Sequence, residues 1–318
     1  MTGVQTAAVA DFFDEELAPL VRRMADRPRA ESGPSDEDRR EIREMVWQGL
    51  TGLGALDTTD TVRLAEVLGS VVYQGPLLDT ITARELFPDN DIGQAPVALA
   101  VSTDSWSTED DSISARRAFV GFAAEVDYFV VGGVDAAGMR LALVRAGDPS
   151  ITMRRYEETG RGEEYEVEFD GTPVAAWADS FTGWETALAN ARVRQAAYLV
   201  GLTQAALDHA VDYAKTRRQF GQPIGKFQGV AFRLSELSMH IDATRMLVHD
   251  HDATTHAAAN LAAAADLART ATTQTMQVNG AVGMQSDNDA QLYYRRAAVE
   301  SVRLGTPAQL RRESWEKR

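Results

Sequence analysis

Residues 213–229 read YAKTRRQFGQPIGKFQG, and their reading decides the fold. Three cationic side chains, Lys215, Arg217 and Arg218, run into Gln219, Phe220 and Gly221, and Pro223 then bars helix. Lysine and arginine are favoured at a helix C-terminus by the dipole, which accounts for the cations alone. It does not account for a compact basic knot ending in Phe-Gly on a chain of net charge −15. On such a chain an anionic ligand must be gripped locally, at a basic cluster or a helix N-terminus.

Outward from the knot, the composition sets bounds. With 318 residues and 44% hydrophobic content, the chain can bury a large core in one or two domains, or three small ones. A pI near 4.8 argues against nucleic acid or an anionic membrane surface as a general partner. Cysteine is absent, which excludes disulfides, thiolate zinc sites and a cysteine nucleophile. The opening MTGVQTAAVADFFDEELAPL lacks a basic n-region, and no apolar run approaches the ~18 residues of a bilayer span. The expectation is a cytoplasmic protein.

Three textures follow one another. Residues 1–93 read as helical: a first helix over 5–26, a break at RPRAESGPS, a second helix capped by Ser35 with acids in its first turn, then TVRLAEVLGSVVYQG and LLDTITARELF. Residues 94–183 change period. DYFVVGG and MRLALVRA are rich in strand formers, and EYEVEFDG alternates Tyr165, Val167 and Phe169 with acids before an Asp-Gly turn. This predicts a small antiparallel sheet or barrel. Residues 184–318 return to helix. WETALANARVRQAAYLVGLTQAALDHAVDYAKT predicts one helix of about 45 Å. Val230, Leu234, Leu237, Ile241, Thr244 and Val248 then alternate steps of four and three, the spacing of a bundle seam.

In this setting three motifs resemble the acyl-CoA dehydrogenase family. RRQFGQPIGKFQ is similar to that family's Arg-x-x-Phe-Gly signature, MQVNGAVGM to its Gln-x-x-Gly-Gly turn, and VRLGTPAQLRRE to the Gly-Thr segment before its last helix. The resemblance implies a mainly α fold with a central β domain: an N-terminal helical domain, a middle antiparallel β-barrel and a C-terminal four-helix bundle. It implies FAD as cofactor, gripped across a subunit interface. Arg217 matches the residue that pairs with the pyrophosphate, Gln219 and Phe220 match cofactor contacts beside it, and Gly221 permits the turn. Gln277, Gly280 and Ala281 match a second loop at the nucleotide, alanine replacing the second glycine. Thr306 keeps the hydroxyl of the Gly-Thr pair, and Arg192 matches an arginine beside the active site, an interhelical salt bridge being an equally good account of it.

The resemblance also exposes a gap. The family abstracts the α-proton of an acyl thioester with a glutamate. Its usual place, before Gly-Thr, holds Leu304, and its minority place, before an arginine on the first bundle helix, holds Ala191. Neither can take a proton. The stretches AVSTDSWSTEDDS and RRAFVGFAAEVDYFVV also lack the family's flavin-ring loop. The reading that results is one subunit of an α2β2 assembly, its partner a second acyl-CoA dehydrogenase-like chain, or else a homodimer or tetramer. The alternatives are non-redox chemistry on the same thioester (dehydration, cyclisation or isomerisation), with Glu185, Asp287 or Asp289 as candidate acids, and a non-catalytic scaffold. HDHDATTH at 249–256 is a solvated turn in this reading: His249 and His251 face different sides of any helix, and Asp250 and Asp252 do not repair the geometry. No metal is expected.

Overall fold

The computed structural model describes residues 36–135, 138–156, 163–178, 181–285 and 288–316. The first expected helix, the Ser35 cap and Asp287 lie outside the described residues. The chain condenses into two compact units, residues 74–191 and residues 1–73 with 192–318.

In chain order the elements are α1 (Asp36–Gly52), α2 (Thr61–Ser70), α3 (Leu77–Leu86), β1 (Val97–Ser105), β2 (Ser107–Glu109), β3 (Ser112–Gly121), β4 (Tyr128–Asp135), β5 (Gly138–Arg145), β6 (Ile151–Arg155), β7 (Glu164–Pro173) and β8 (Ala176–Trp177). The helical half follows with α4 (Phe181–Thr216), a two-residue ribbon of β9 (Arg218–Gln219) and β10 (Gln222–Pro223), α5 (Gln228–Val248), α6 (Ala257–Asn279), α7 (Asp289–Glu300) and α8 (Pro307–Glu316).

The unit of residues 74–191 holds two four-stranded sheets, ordered β1-β4-β5-β8 and β2-β3-β7-β6. The antiparallel expectation needs one correction: β1 and β4 pair in parallel, Val97 against Tyr128 through Ala100 against Val131. The chain leaves β1 for the second sheet before it returns, so no hairpin joins the two strands and parallel entry becomes open to it. Phe129, Val130 and Val131 are all buried, as a strand covered on both faces requires. Phe129 and Val131 share a core with Val167 and Phe169 of the second sheet, Phe129 meeting Phe169 edge to face at 5.6 Å. On the other face Val130 and Leu143 pack with Leu86 and Phe87 at the end of α3 and with Trp184 of α4.

The alternation in EYEVEFDG is borne out: Tyr165, Val167 and Phe169 are buried. The Asp-Gly pair does not end the strand, however. β7 continues to Pro173, and the register slips between Ile113/Thr172 and Ala115/Phe169, so Asp170 and Gly171 form a bulge. Gly171 supplies the left-handed backbone there, φ +63.

In the other unit α4 is buried nearly all round between Arg192 and Thr203. Two glycines explain how α2 reaches it. A Cβ on Gly69 would overlap the Tyr198 carbonyl, and one on Gly201 would overlap that of Glu66. Backbone thus meets backbone, which only glycine permits on both sides. The seam of α5 is as expected, with Leu234, Leu237, Ile241, Thr244 and Val248 buried. Thr244 turns its hydroxyl onto the His240 carbonyl at 2.9 Å, so the one polar seam position is satisfied within its own helix. Alanine-rich α6 buries Ala264, Ala265, Ala268 and Ala271. No described helix is long and apolar enough to cross a membrane.

Candidate functional site

The knot at 217–223 folds as a two-residue hairpin. Gln219 pairs with Gln222 and Arg218 with Pro223. The two residues of its tip, Phe220 and Gly221, both have positive φ, +50 and +81. That backbone matches the twist of a tight ribbon and suits glycine, but it strains a phenylalanine. Arg218 holds the tip by donating from Nη2 to the Gly221 carbonyl at 2.9 Å, and Ile224 closes the ribbon by donating to the Arg217 carbonyl at 2.8 Å. Phe220 is 92% exposed. Arg217 and Gln219 are exposed beside it, and the Arg217 guanidinium makes no side-chain bond among the described residues. Cation, amide and ring are therefore presented together, the ring meeting only the edge of Phe227, 6.1 Å away between centroids, among the described residues.

The second loop follows α6. Gly280 caps that helix at φ +63, its N–H donating to the Gln277 and Met276 carbonyls. Gln277, Gly280 and Ala281 are exposed, and a Cβ built on Gly280 would meet nothing within 4 Å. Ala281, in the place of the second glycine, is exposed as well.

The third region, 300–306, is organised differently. Leu304 sits at φ +58 and Gly305 at φ +129. Arg192 of α4 grips the turn, Nε donating to the Leu304 carbonyl at 3.2 Å, while its two terminal nitrogens reach the Glu313 carboxylate of α8 at 2.7 and 3.2 Å. Arg192 is 8% exposed. Thr306 accepts from the Gln309 N–H at 3.3 Å, and Gln309 Oε1 accepts from the Thr306 N–H at 3.0 Å and its hydroxyl at 2.7 Å. This is a capping box at the head of α8, with Pro307 in the first turn where its missing N–H is harmless. The Thr306 hydroxyl thus caps a helix, and Arg192 ties three elements together. Ala191 is buried in α4.

Beneath the turn lies a network that the sequence reading missed. Glu300 is buried, salt-bridged to Arg296 and accepting from Gln195 Nε2 at 2.8 Å. Burial alone would raise its carboxyl, but the guanidinium charges of Arg296 and Arg303 and the bond from Gln195 hold it below the usual value. Tyr198 donates to the Tyr73 carbonyl at 2.9 Å, and burial next to the Glu300 charge pushes its phenol well up. The Arg296–Glu300 spacing of four was visible in the sequence as a helical ion pair. The Gln195 partner, 105 residues away, was not.

The remaining candidates divide plainly. Glu185 is exposed, and Asp289 stands in the first turn of α7 behind the Asn288 cap, which accepts from the Ala290 N–H at 2.9 Å. The stretch 249–256 joins α5 to α6 as a turn, as expected. Asp250, His251 and Asp252 cluster there with all three exposed, and His249 instead meets Glu66 at 2.6 Å. In the β unit Arg117 is buried and spends Nε and Nη2 on the Gly132 carbonyl at 3.0 and 2.8 Å.

Comparison with known proteins follows this geometry. Residues 181–313 match the family model described as acyl-CoA dehydrogenase, C-terminal domain. The chain is 31% identical over 191 residues to 3-sulfinopropanoyl-CoA desulfinase of Paraburkholderia xenovorans, a match covering 58% of this chain and 49% of that one. The matches thus span half or less of the first curated relatives. Among solved structures, a variant of the Tcur3481-Tcur3483 steroid ACAD superposes with a TM-score of 0.80 at 22% identity, covering 95% of this chain and 96% of that one. The ChsE4-ChsE5 complex from Mycobacterium tuberculosis gives 0.79 at 21%, with coverage of 95% and 96%. The fold is that of the acyl-CoA dehydrogenases.

Proposed function

We propose that the chain, whose residues 181–313 match the model of the acyl-CoA dehydrogenase C-terminal domain, is a flavoprotein subunit that helps complete a FAD site shared with a neighbouring chain. The site serves α,β-dehydrogenation of an acyl thioester, and the base comes from the neighbour. One observation carries this reading. The hairpin offers an Arg217 with no side-chain partner among the described residues and a strained, exposed Phe220, whereas both places for a catalytic carboxylate hold aliphatic side chains.

Acyl-CoA dehydrogenases are FAD-dependent flavoproteins. The described residues fit the dinucleotide end of that cofactor. Arg217 would hold the pyrophosphate, donating two parallel N–H bonds to phosphate oxygens. Gln219, Phe220 and Gln277 would flank it, and the open space about Gly280 would admit the backbone close to the nucleotide. When bound, FAD supplies the acceptor for hydride from the β-carbon. The chain's own part is binding and orientation: Leu304 and Ala191 exchange no proton at any pH, and Arg192 fixes the turn that carries Leu304. That two structural neighbours are named by two components supports an unlike partner.

The test is flavin stoichiometry. Co-expressed with an acyl-CoA dehydrogenase-like subunit that carries the glutamate, the chain should yield an active complex with fewer flavins than chains. Arg217→Ala should weaken flavin retention in that complex about tenfold or more, as a lost charged hydrogen-bond pair implies. A chain purified alone as a stoichiometrically flavin-loaded, active homo-oligomer would overturn the reading. Retention unchanged by Arg217→Ala would leave a scaffold. A second reading, non-redox thioester chemistry, has one observation in its favour: the 31% identical relative is named a desulfinase. A colourless complex that still turns over an acyl thioester would select it.

A further inference from the structure

The end of α2 is held in a backbone that its own residue resists. Val72 is buried and has φ +55. It stands just past the helix, where glycine is usual: its N–H donates to the Gly69 carbonyl at 3.0 Å, and the Tyr73 N–H closes the turn on the Leu68 carbonyl at 2.9 Å. Among the described residues it is the one β-branched side chain in the left-handed region, where a branch at Cβ crowds the flanking peptides.

Two contacts hold this strain in place. Tyr198 of α4 donates its hydroxyl to the Tyr73 carbonyl at 2.9 Å. Gly69 lies so close to the backbone of the same tyrosine that a Cβ on it would fall 1.9 Å from the Tyr198 carbonyl oxygen. The phenol oxygen also accepts from Arg296, which is salt-bridged to Glu300. Glu300 opens the turn that carries Leu304, and its carbonyl and carboxylate accept from Gln195 at 3.0 and 2.8 Å. One hydroxyl therefore stands between the strained end of α2 and the charged network under residues 300–306.

From this we propose that residues 71–73 form a spring-loaded strap, latched by the Tyr198 hydroxyl and coupled through Arg296 and Glu300 to the 300–306 turn. Latched, Val72 is left-handed and both turn bonds are made. Released, Val72 returns to an unstrained region of the backbone, and the Val72 and Tyr73 amides lose their acceptors. The strain drives release and the phenol opposes it. By linkage, whatever draws Arg296 or Glu300 away from Tyr198 favours release, and whatever fixes them favours the latch. This inference does not depend on the cofactor reading.

Hydrogen exchange of the full-length chain, read by mass spectrometry in peptides spanning 68–76 and 298–306, tests spring, latch and coupling separately. Tyr198→Phe keeps the ring and removes the latch. It should speed exchange of the strap about tenfold, the worth of one such hydrogen bond. It should also speed the Val302 and Arg303 amides, which donate to the Val299 and Glu300 carbonyls at 3.2 and 3.4 Å. Val72→Gly and Val72→Ala both lose the buried side chain, but only glycine is at ease in the left-handed region. Strap exchange should therefore be about tenfold slower in Val72→Gly than in Val72→Ala, the reverse of their order where φ is negative. This pair reads the strain even if Tyr198→Phe does not fold. Strap exchange unchanged by Tyr198→Phe would overturn the latch. Exchange in Val72→Gly no slower than in Val72→Ala would overturn the spring, and acceleration confined to 68–76 would overturn the coupling to the turn.

Discussion

Two turns in the helical half share one unusual backbone. Phe220-Gly221 and Leu304-Gly305 each set a bulky residue at positive φ, +50 and +58, before a glycine. Such a residue costs about 1–2 kcal/mol and persists where its surroundings hold it. Around Leu304 the cause lies inside the chain: Arg192 binds its carbonyl, Glu313 fixes Arg192, and the Arg296–Glu300–Gln195 network lies beneath. Around Phe220 the chain supplies less: a ribbon of two residues per strand closed by Ile224, one bond from Arg218 and an edge contact with Phe227, while the ring stays 92% exposed. The first strain is explained by architecture. The second has less support within the described residues, and the proposed role of a loop lent to a neighbour would account for it.

Substitutions can break that comparison. Glu300→Gln should have the largest effect, lowering unfolding free energy in urea by about 3 kcal/mol, because it leaves Arg296 charged in a dry site. Arg217→Ala should change the same quantity by less than ~0.5 kcal/mol; a comparable loss would mean the hairpin is structural after all. Arg192→Ala should cost about 1–2 kcal/mol, the pair being discounted because Glu313 is 40% exposed. Arg192→Lys should recover less than half of this, since a single ammonium cannot replace the fork.

Phe220→Gly sharpens the contrast further. It relieves strain without removing buried surface, so stability should rise by up to about 1 kcal/mol while flavin retention in the complex falls. Leu304→Gly should bring no such gain, because the relief is offset by lost packing. The smallest expected effect is a slope. Burial would raise the Glu66 carboxyl, but hydrogen bonds from His249 and Arg245 hold it below 4.5. Its contribution is therefore complete above pH 4.5 and lost as pH falls through the lower folded value. Glu66→Gln should flatten stability against pH in that acid range, whereas hairpin variants should keep the parent slope.

Much of this was legible in one dimension, and the reason is local. The seam of α5, the length of α4 and the alternation in β7 follow from side-chain period, which a helix or strand imposes on near neighbours. The turn after α4 was legible too, since Gly221 permits it and Pro223 bars helix, but its closing into a ribbon was not. Even the Thr306–Gln309 capping box had a sequence signature, masked because the hydroxyl was read as part of a pocket. What was not legible was who meets whom. The parallel pairing of β1 with β4 depends on where the chain travels in between.

By itself, then, the sequence determined the order of helical and β parts, the apolar seam of α5 and the lack of a carboxylate at positions 191 and 304, all properties of residue type and spacing. Tertiary structure alone decided that Arg192 is spent on Leu304 and Glu313, 112 and 121 residues away, while Arg217 finds no side-chain partner among the described residues, and that the seam of α5 is filled. The physical reason is that a charge or an apolar face acquires its role from its partner. Partners distant along the chain are chosen only when the fold closes.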